Sequence, residues 1–180
     1  MIQNKEMNLR KLQLAELEIL KDFIRVCNEL KLTYFLDSGT LLGCIRHEGF
    51  IPWDDDIDVS MPREDYEIFL EKGQALLKRE YFLQSYKTEP NYTLNFAKIR
   101  NSNTTFIESS VKDLNINHGI FIDIFPIDGY KPDRKIENYI NEKKITLYNV
   151  QINKLYNIKT PKTFKYKILT ILSNIMFRML

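Results

Sequence analysis

The sequence contains few cysteines and histidines and no long hydrophobic run, and each shortage excludes a class of protein. Cys27 and Cys44 cannot build a disulfide framework, so we expect two reduced thiols in a cytoplasmic protein. His47 and His118 are scattered among them at spacings that do not predict a zinc site. A membrane-spanning helix needs about 20 apolar residues in succession, and no run approaches that length.

Charge of one sign is also scarce, since 26 basic and 24 acidic residues leave a net charge of +2. No basic run is interleaved with aromatic residues, so the sequence does not indicate nucleic-acid binding. Residues 1–5 lack the apolar segment and cleavage site of a signal peptide, which again favours a cytoplasmic location. A chain of 180 residues, 44% of them hydrophobic, can form one domain with a substantial core.

Hydrophobic periodicity predicts an α/β fold, in which a small mixed sheet is flanked by helices. The predicted elements are helices over 6–31, 62–78, 133–156 and 163–180, and strands over 34–36, 56–59, 81–83, 93–100 and 120–125. The first helix is expected to cover the core and to carry no chemistry. We expect residues 1–131 to form a catalytic core and residues 132–180 a helical extension of the same domain.

The stretch after the first predicted strand is suited to binding an anion. Ser38, Gly39 and Thr40 interrupt the apolar pattern and are expected to begin a short helix that runs to Ile45. Glycine lets a ligand approach the backbone closely, and the free N–H groups of a helix N-terminus attract phosphate. We therefore predict a phosphate-binding turn at these three residues.

Four carboxylates follow within five residues, from Asp54 to Asp58. On a strand, Asp56 and Asp58 would share one face while Ile57 and Val59 are buried on the other. Two like charges on one face repel each other, and removing them from water is costly. A hard divalent cation resolves this conflict, so we predict a Mg²⁺ (or Mn²⁺) site at Asp56 and Asp58.

Asp123 lies inside a run that is otherwise apolar from Ile120 to Phe125, typical of a strand buried on both faces. A lone carboxylate there needs a cationic partner. The partner is either the cation at Asp56 and Asp58 or a salt bridge from Lys98 or Arg100. Asp128 precedes a glycine, and its carboxylate is expected to cap a turn rather than to bind metal.

Three segments around these residues resemble the signature of the LicD family, bacterial phosphocholine-transferase-like proteins related to fukutin and fukutin-related protein. The segments are Gly39-Thr40-Leu41-Leu42-Gly43, Arg46-His47 and Phe50-Ile51-Pro52-Trp53-Asp54-Asp55-Asp56-Ile57-Asp58. Cys44 stands where the family is expected to have alanine. The resemblance implies a nucleotidyltransferase-type fold and transfer of a phospho-alcohol from a CDP-linked donor to a sugar.

The resemblance also implies roles for individual residues. Asp56 and Asp58 would hold the cation across the donor pyrophosphate, and Asp123 would complete the metal shell or accept the proton of the attacking hydroxyl. The family has basic residues in a segment like 97–108, so Lys98 and Arg100 are candidate phosphate contacts; the alternative is a solvated, charged strand edge.

Four further side chains have two interpretations each. Arg46 either binds substrate or braces the carboxylates, and His47 and His118 either serve the site or make ordinary hydrogen bonds. Trp53 either meets a choline ammonium by a cation–π contact or belongs to the core.

The expected function is transfer of phosphocholine, or of phosphoribitol, phosphoglycerol or phosphoethanolamine, to a sugar hydroxyl of a cell-surface glycan such as lipopolysaccharide, teichoic acid or capsule. The acceptor would be that glycan or a lipid-linked sugar. Two alternatives remain, a nucleotidyltransferase that makes a CDP-alcohol and an inactive donor-binding module. The released product, CMP, pyrophosphate or neither, separates the three.

The last predicted helix, over 163–180, is apolar on one side and basic at its start. Such a helix either packs against protein or lies on a membrane surface, here the inner face of the membrane. Because relatives usually continue past this point, we expect part of the acceptor-binding region to be missing. The apolar face also predicts a homodimer or adhesion to lipid.

Overall fold

Five strands form one sheet in the order β1-β2-β5-β4-β3. A computed structural model describes residues 2–129, 132–136, 139–140, 142–143, 146–147, 150 and 164–178. The elements are α1 (Ile2–Leu30), β1 (Phe35–Leu36), α2 (Ser38–His47), β2 (Asp58–Pro62), α3 (Arg63–Leu76), β3 (Tyr81–Gln84), β4 (Ala97–Asn101), β5 (Ile120–Ile127) and α4 (Phe164–Arg178). The predicted α/β class, with a mixed sheet and helices around it, is confirmed.

The sheet is mixed because β2 runs parallel to β5, whereas the other pairs are antiparallel. β5 lies at its centre, and the consecutive residues from Phe121 to Ile124 are all buried. This fits the prediction of a strand covered on both faces.

Helices α1 and α3 cover the core through large apolar side chains. Phe23 of α1 packs edge-on against Phe69 of α3, with ring centroids 5.1 Å apart. Ile57 and Val59 are buried beneath them, as the alternating pattern predicts. Burying a large apolar side chain contributes about 1.5–3 kcal/mol, so these contacts fix how the sheet sits against its helices.

Two strands begin later than the sequence predicts. β2 starts at Asp58 rather than 56, where the Ile57 carbonyl accepts from the Asp123 amide (2.8 Å) and the Asp58 amide donates to Thr40 Oγ1 (2.8 Å). β4 starts at Ala97 rather than 93. Asp56 therefore lies in the loop that leads into the sheet.

The chain divides into two compact units. The first comprises Met1–Glu108 and Asn115–Asp128, and the second comprises Ser109–Leu114 and Gly129–Leu180. The sequence placed a boundary after residue 131, and its division into a catalytic core and an extension stays a prediction.

The second unit contains α4 and a helical segment. Positions 135–136, 139–140, 142–143, 146–147 and 150 are helical, and the rest of the helix predicted over 133–156 lies outside the described residues, as does Pro161. On α4, Ile168, Ile171 and Leu172 are exposed. Among the helices that the structure describes, none combines the length and apolar character needed to cross a bilayer.

Candidate active site

Three charged residues lie in a row across the central strands. Asp58 on β2 and Lys98 on β4 are both register partners of Asp123 on β5. Side chains at paired positions of neighbouring strands point to the same face of a sheet. The fold therefore brings together residues that are up to 65 positions apart in sequence.

Lys98 and Asp123 form an ion pair inside the sheet. Lys98 Nζ lies 2.8 Å from Asp123 Oδ1 and 3.2 Å from Glu108 Oε1, and its side chain is 1% exposed. It also lies 3.4 Å from the centroid of the Phe121 ring. Burial raises the pKa of Asp123 to about 7 against the opposing effect of Lys98, and the charges of Glu108 and Asp58 raise it further. The predicted salt-bridge partner of Asp123 is thus Lys98, while its role as a cation ligand stays a prediction.

Arg100 is enclosed by protein acceptors. Its side chain is fully buried, and it donates to Gln84 Oε1 (2.6 Å), the Gly119 carbonyl (2.8 Å) and Glu108 Oε2 (2.8 Å). This geometry fits a structural role that ties β3, β4 and the start of β5 together. A phosphate contact would require breaking buried, charge-assisted hydrogen bonds, so the geometry speaks against the predicted substrate role.

The N-terminus of α2 already has an acidic cap. Asp37 accepts a hydrogen bond from the Ser38 amide (2.7 Å) through Oδ1 and one from the Ser60 hydroxyl through Oδ2. Thr40 Oγ1 accepts from the Asp58 amide. Sequence reasoning missed Asp37, although an aspartate just before Ser-Gly is a typical helix cap. The phosphate-binding turn at Ser38 to Thr40 stays a prediction, and a phosphate there would meet the Asp37 carboxylate.

Gly39 permits a close approach, and in this structure the approaching group is a carboxylate. A Cβ at this position would lie 2.6 Å from Asp54 Oδ2. Real Cβ atoms essentially never come so close to a neighbour, so Asp54 packs against the helix only because residue 39 is glycine.

Asp54, Asp55 and Asp56 form an acidic cluster at the loop before β2. One carboxylate oxygen from each of the three residues lies within 4.8 Å of the other two, and in the described part of the chain Asp58 and Asp123 fall outside this group. Burial and then the charges of Asp58, Asp54 and Asp55 raise the pKa of Asp56 to about 6. Hard oxygen donors held together against their repulsion fit a divalent cation.

Helix α1, which the sequence predicts to cover the core, also reaches this loop. The buried Gln13 side chain donates to the Asp54 carbonyl (2.9 Å) and to the Ile51 carbonyl (3.4 Å). Glu16, one turn further, is 1% exposed. Burial, followed by the charges of Asp56, Asp55, Asp54 and Asp123, raises its pKa to about 9. The available signal was a polar pair, Gln13 and Glu16, that continues the apolar spacing of the helix.

The remaining candidates lie at the edge of the site. Arg46 is exposed and takes part in none of the ion pairs among the described residues, so bracing of the carboxylates is not seen. His47 is exposed, and its ring lies edge-on to Trp53 at 6.4 Å. Trp53 is 76% exposed, so its assignment to the core is wrong. The His118 carbonyl accepts from the Phe106 amide (2.6 Å).

Asp128 does not cap a backbone turn as expected. Its carboxylate forms a two-pronged ion pair with Arg63, with Nε–Oδ1 and Nη2–Oδ2 distances of 2.7 Å. The hydrogen bond from Arg63 lowers the pKa of Asp128. It is thus a surface ion pair outside the acidic cluster.

Comparison with known proteins identifies the family of this chain. The nucleotidyltransferase domain of the LicD/FKTN/FKRP family matches residues 31–165. The chain is 38% identical over 133 residues to the lipopolysaccharide cholinephosphotransferase LicD of Haemophilus influenzae. The matched segment covers 73% of this chain and 49% of that protein. It is also 35% identical over 74 residues to an uncharacterized protein of Rickettsia prowazekii. This second matched segment covers 41% of this chain and 27% of that protein.

The chain thus spans about half the length of the first of these relatives and less of the second. The family match nevertheless covers well over half of the chain and includes the acidic cluster and the Asp58–Asp123–Lys98 row. The chain therefore belongs to the LicD/FKTN/FKRP family, matching its nucleotidyltransferase domain.

Proposed function

We propose that this protein transfers phosphocholine, or a related phospho-alcohol, from a CDP-linked donor to a sugar hydroxyl of a cell-surface glycan. The observation that carries the proposal is the cluster of carboxylates around Asp56, in the loop that leads into β2. The strands that follow in the sheet carry Asp58, Asp123 and Lys98 at paired positions. The 38% identity to a lipopolysaccharide cholinephosphotransferase supports the class of substrate. The fold alone would not identify the substrate, because proteins with the same fold have many different functions.

Asp56 and Asp58, with Asp123 beside them, would hold the divalent cation. A bound Mg²⁺ or Mn²⁺ would neutralise the pyrophosphate and the charge that builds on the departing CMP. Asp56 and Asp58 are half-buried, so their carboxylates meet a ligand at the protein surface rather than in its core. This supports binding of a large, charged donor.

Lys98 supplies the positive charge that a pyrophosphate would still need after one cation is bound. Its ammonium is held at the row of carboxylates by Asp123 and Glu108. Asp123 lies next to it, where it could accept a proton from the attacking hydroxyl.

Trp53 supports choline as the transferred alcohol. The ring is exposed and directly precedes the acidic cluster, and His47 lies beside it. A quaternary ammonium binds over the face of an aromatic ring through cation–π attraction. Nearby carboxylates would add to the attraction for that cation.

The proposal is tested by incubating the protein with Mg²⁺ and a glycan acceptor against a panel of CDP-choline, CDP-ethanolamine, CDP-glycerol and CDP-ribitol. We expect acceptor-stimulated CMP release, greatest with CDP-choline, that is lost in Asp56→Asn. Asp128→Asn is the matched control, because it removes the same charge outside the cluster. Release of pyrophosphate from CTP and an alcohol phosphate would indicate a nucleotidyltransferase instead, and donor binding without any release an inactive module.

A further inference from the structure

Glu16 is buried in a setting that leaves its carboxyl group without a hydrogen-bond partner among the described residues. The residue is 1% exposed, and neither Oε1 nor Oε2 has such a partner. Leaving a buried polar group unsatisfied costs about 1–3 kcal/mol, and more for a charged one. A native structure rarely keeps such a group unless something else satisfies it.

The neighbouring groups that the structure identifies do not supply that partner. On its own helix, Gln13 lies one turn away, but its amide is taken by the carbonyls of Asp54 and Ile51. Across from the helix, the charges that act on Glu16 are those of Asp56, Asp55, Asp54 and Asp123, all acidic. A fourth carboxyl group therefore faces a cluster of three.

The contact between α1 and the loop holds this arrangement in place. Gln13 fixes the loop backbone at Asp54, and Gly39 lets the Asp54 side chain pack against α2 from the other side. Positions 13 and 16 are three apart, so their side chains share one face of α1. Glu16 thus faces the same loop to which Gln13 donates its hydrogen bonds.

We infer that Glu16, with Asp54, Asp55 and Asp56, forms a divalent-cation site that is completed from helix α1. This site shares Asp56 with the group proposed above to hold the cation of the donor, Asp56, Asp58 and Asp123, but its other residues differ. A hard cation with several oxygen ligands would satisfy the orphaned carboxyl group and relieve the repulsion in the cluster at once. The inference deepens the proposed function and rests on it for the use of the cation, but not for its binding.

The test is Mn²⁺ binding measured by calorimetry in the absence of any nucleotide. We expect Glu16→Gln to weaken the affinity about tenfold or more, the size of effect seen when groups around a metal are removed. Glu18→Gln is the matched control, because it makes the same change at an exposed position of α1 that pairs with Lys21. Its affinity should equal that of the parent. Equal affinity in Glu16→Gln and the parent, or no Mn²⁺ binding by the parent, would overturn the inference.

Thermal melting separates a cation ligand from a residue that only shapes the fold. With chelator present, Glu16→Gln should melt at or above the parent temperature, because a buried carboxyl group is replaced by a neutral amide. Mn²⁺ should then raise the melting temperature of the parent more than that of the variant. An equal rise in both would contradict the inference.

Asp55→Asn gives a second, independent variant, since Asp55 is exposed and its replacement should not prevent folding. It should also weaken Mn²⁺ binding, and unchanged binding would exclude Asp55 and the proposed site with it. The result is separable from the proposed function. CMP release with unchanged Mn²⁺ affinity in Glu16→Gln would overturn the inference alone, and Glu16-dependent binding without CMP release would overturn the function alone.

Discussion

Lys98 and Asp123 are buried together at the centre of the sheet, and their pairing limits what either side chain can do. The sequence left Asp123 two partners, a cation or a basic residue of β4. The structure shows the ion pair with Lys98, whereas Arg100 pairs with Glu108. A cation at Asp123 would have to share the carboxylate with Lys98.

We expect Asp123→Asn and Asp128→Asn to differ sharply. Burial raises the pKa of Asp123 to about 7, so the fold does not depend on its negative charge, and Glu108 remains beside Lys98 when that charge is removed. Asp123→Asn should therefore change stability little while it lowers CMP release by orders of magnitude. Asp128→Asn breaks an exposed pair and should cost within about 1 kcal/mol with full activity. Urea titration and turnover, measured side by side, would show the reverse pattern if Asp128 were the functional carboxylate.

The raised pKa values of Glu16, Asp123 and Asp56, about 9, 7 and 6, predict how stability depends on pH. Over the range where the folded state keeps these protons and the unfolded chain has lost them, the free energy of unfolding falls as pH rises. With chelator present, stability should therefore decrease from about pH 5 to pH 9, with Glu16 dominating the upper part. Glu16→Gln should flatten the profile between pH 7 and 9. Urea midpoints across this range test it, and a variant profile parallel to that of the parent would contradict the assignment.

Trp53 should determine which donor the protein prefers. Trp53→Leu removes the aromatic face but keeps an apolar side chain, so it should raise KM for CDP-choline. A cation–π contact at an exposed site contributes about 0.5–1 kcal/mol, equivalent to a severalfold change. KM for CDP-glycerol, which carries no ammonium, should be unaffected and serves as the internal control. An equal change for both donors would assign Trp53 to general packing.

At the scale of elements, α1 and α2 both contact the acidic loop. Gln13 of α1 donates a hydrogen bond to the Asp54 carbonyl, and the Asp54 side chain packs against Gly39 of α2. The helices themselves follow from apolar spacing in the sequence. Their contacts with the acidic loop could not be predicted in this way. One contact depends on a glycine and the other on a polar residue that continues an apolar stripe, and both features are common in helices that bind no ligand.

Gly39→Ala should disturb the packing of Asp54 against α2. The new Cβ would lie 2.6 Å from Asp54 Oδ2, so the carboxylate has to move away from α2. We expect a loss of about 1 kcal/mol in stability and weaker Mn²⁺ binding. Gly49→Ala is the matched control, since its nearest neighbouring atom is 3.9 Å from the added Cβ. Unchanged Mn²⁺ affinity in Gly39→Ala would mean that the position of Asp54 does not matter to the cation.

At the scale of the whole molecule, the two compact units differ in what they contribute. The unit formed by Met1–Glu108 and Asn115–Asp128 contains the predicted catalytic carboxylates and basic residues. The other unit contains α4, on which Ile168, Ile171 and Leu172 are exposed. The contribution of the second unit to the acceptor site, and the roles predicted for its last helix, stay predictions.

We expect the apolar side of α4 to support self-association. Ile171→Glu places a charge on the exposed apolar surface and should shift the protein towards a monomer in light scattering. Ile136→Glu, at another exposed isoleucine of the same unit, is the control and should leave the mass unchanged. Repeating the measurement with liposomes tests the alternative role, since loss of vesicle binding without a change of mass would assign α4 to a membrane surface.

The sequence by itself determined which segments form the strands and the main helices, though not where β2 and β4 begin, and it determined the residue types of the site. Alternation placed Ile57 and Val59 in the core and left Asp58 facing the other way, because side-chain direction along a strand is a local property. The uninterrupted apolar run of β5 likewise predicted a central strand. The family signature supplied the chemistry expected of these residues, and the family assignment is confirmed.

Only the tertiary structure decided which charges meet. The register of β4, β5 and β2 selected Lys98 for Asp123 and enclosed Arg100, although both basic residues lie on one strand face. Packing of α1 brought Glu16 into reach of carboxylates about 40 residues later in the chain. Such pairings depend on contacts between segments that are distant in sequence, and periodicity within a segment cannot encode them, because it fixes the face of a side chain and not its partner.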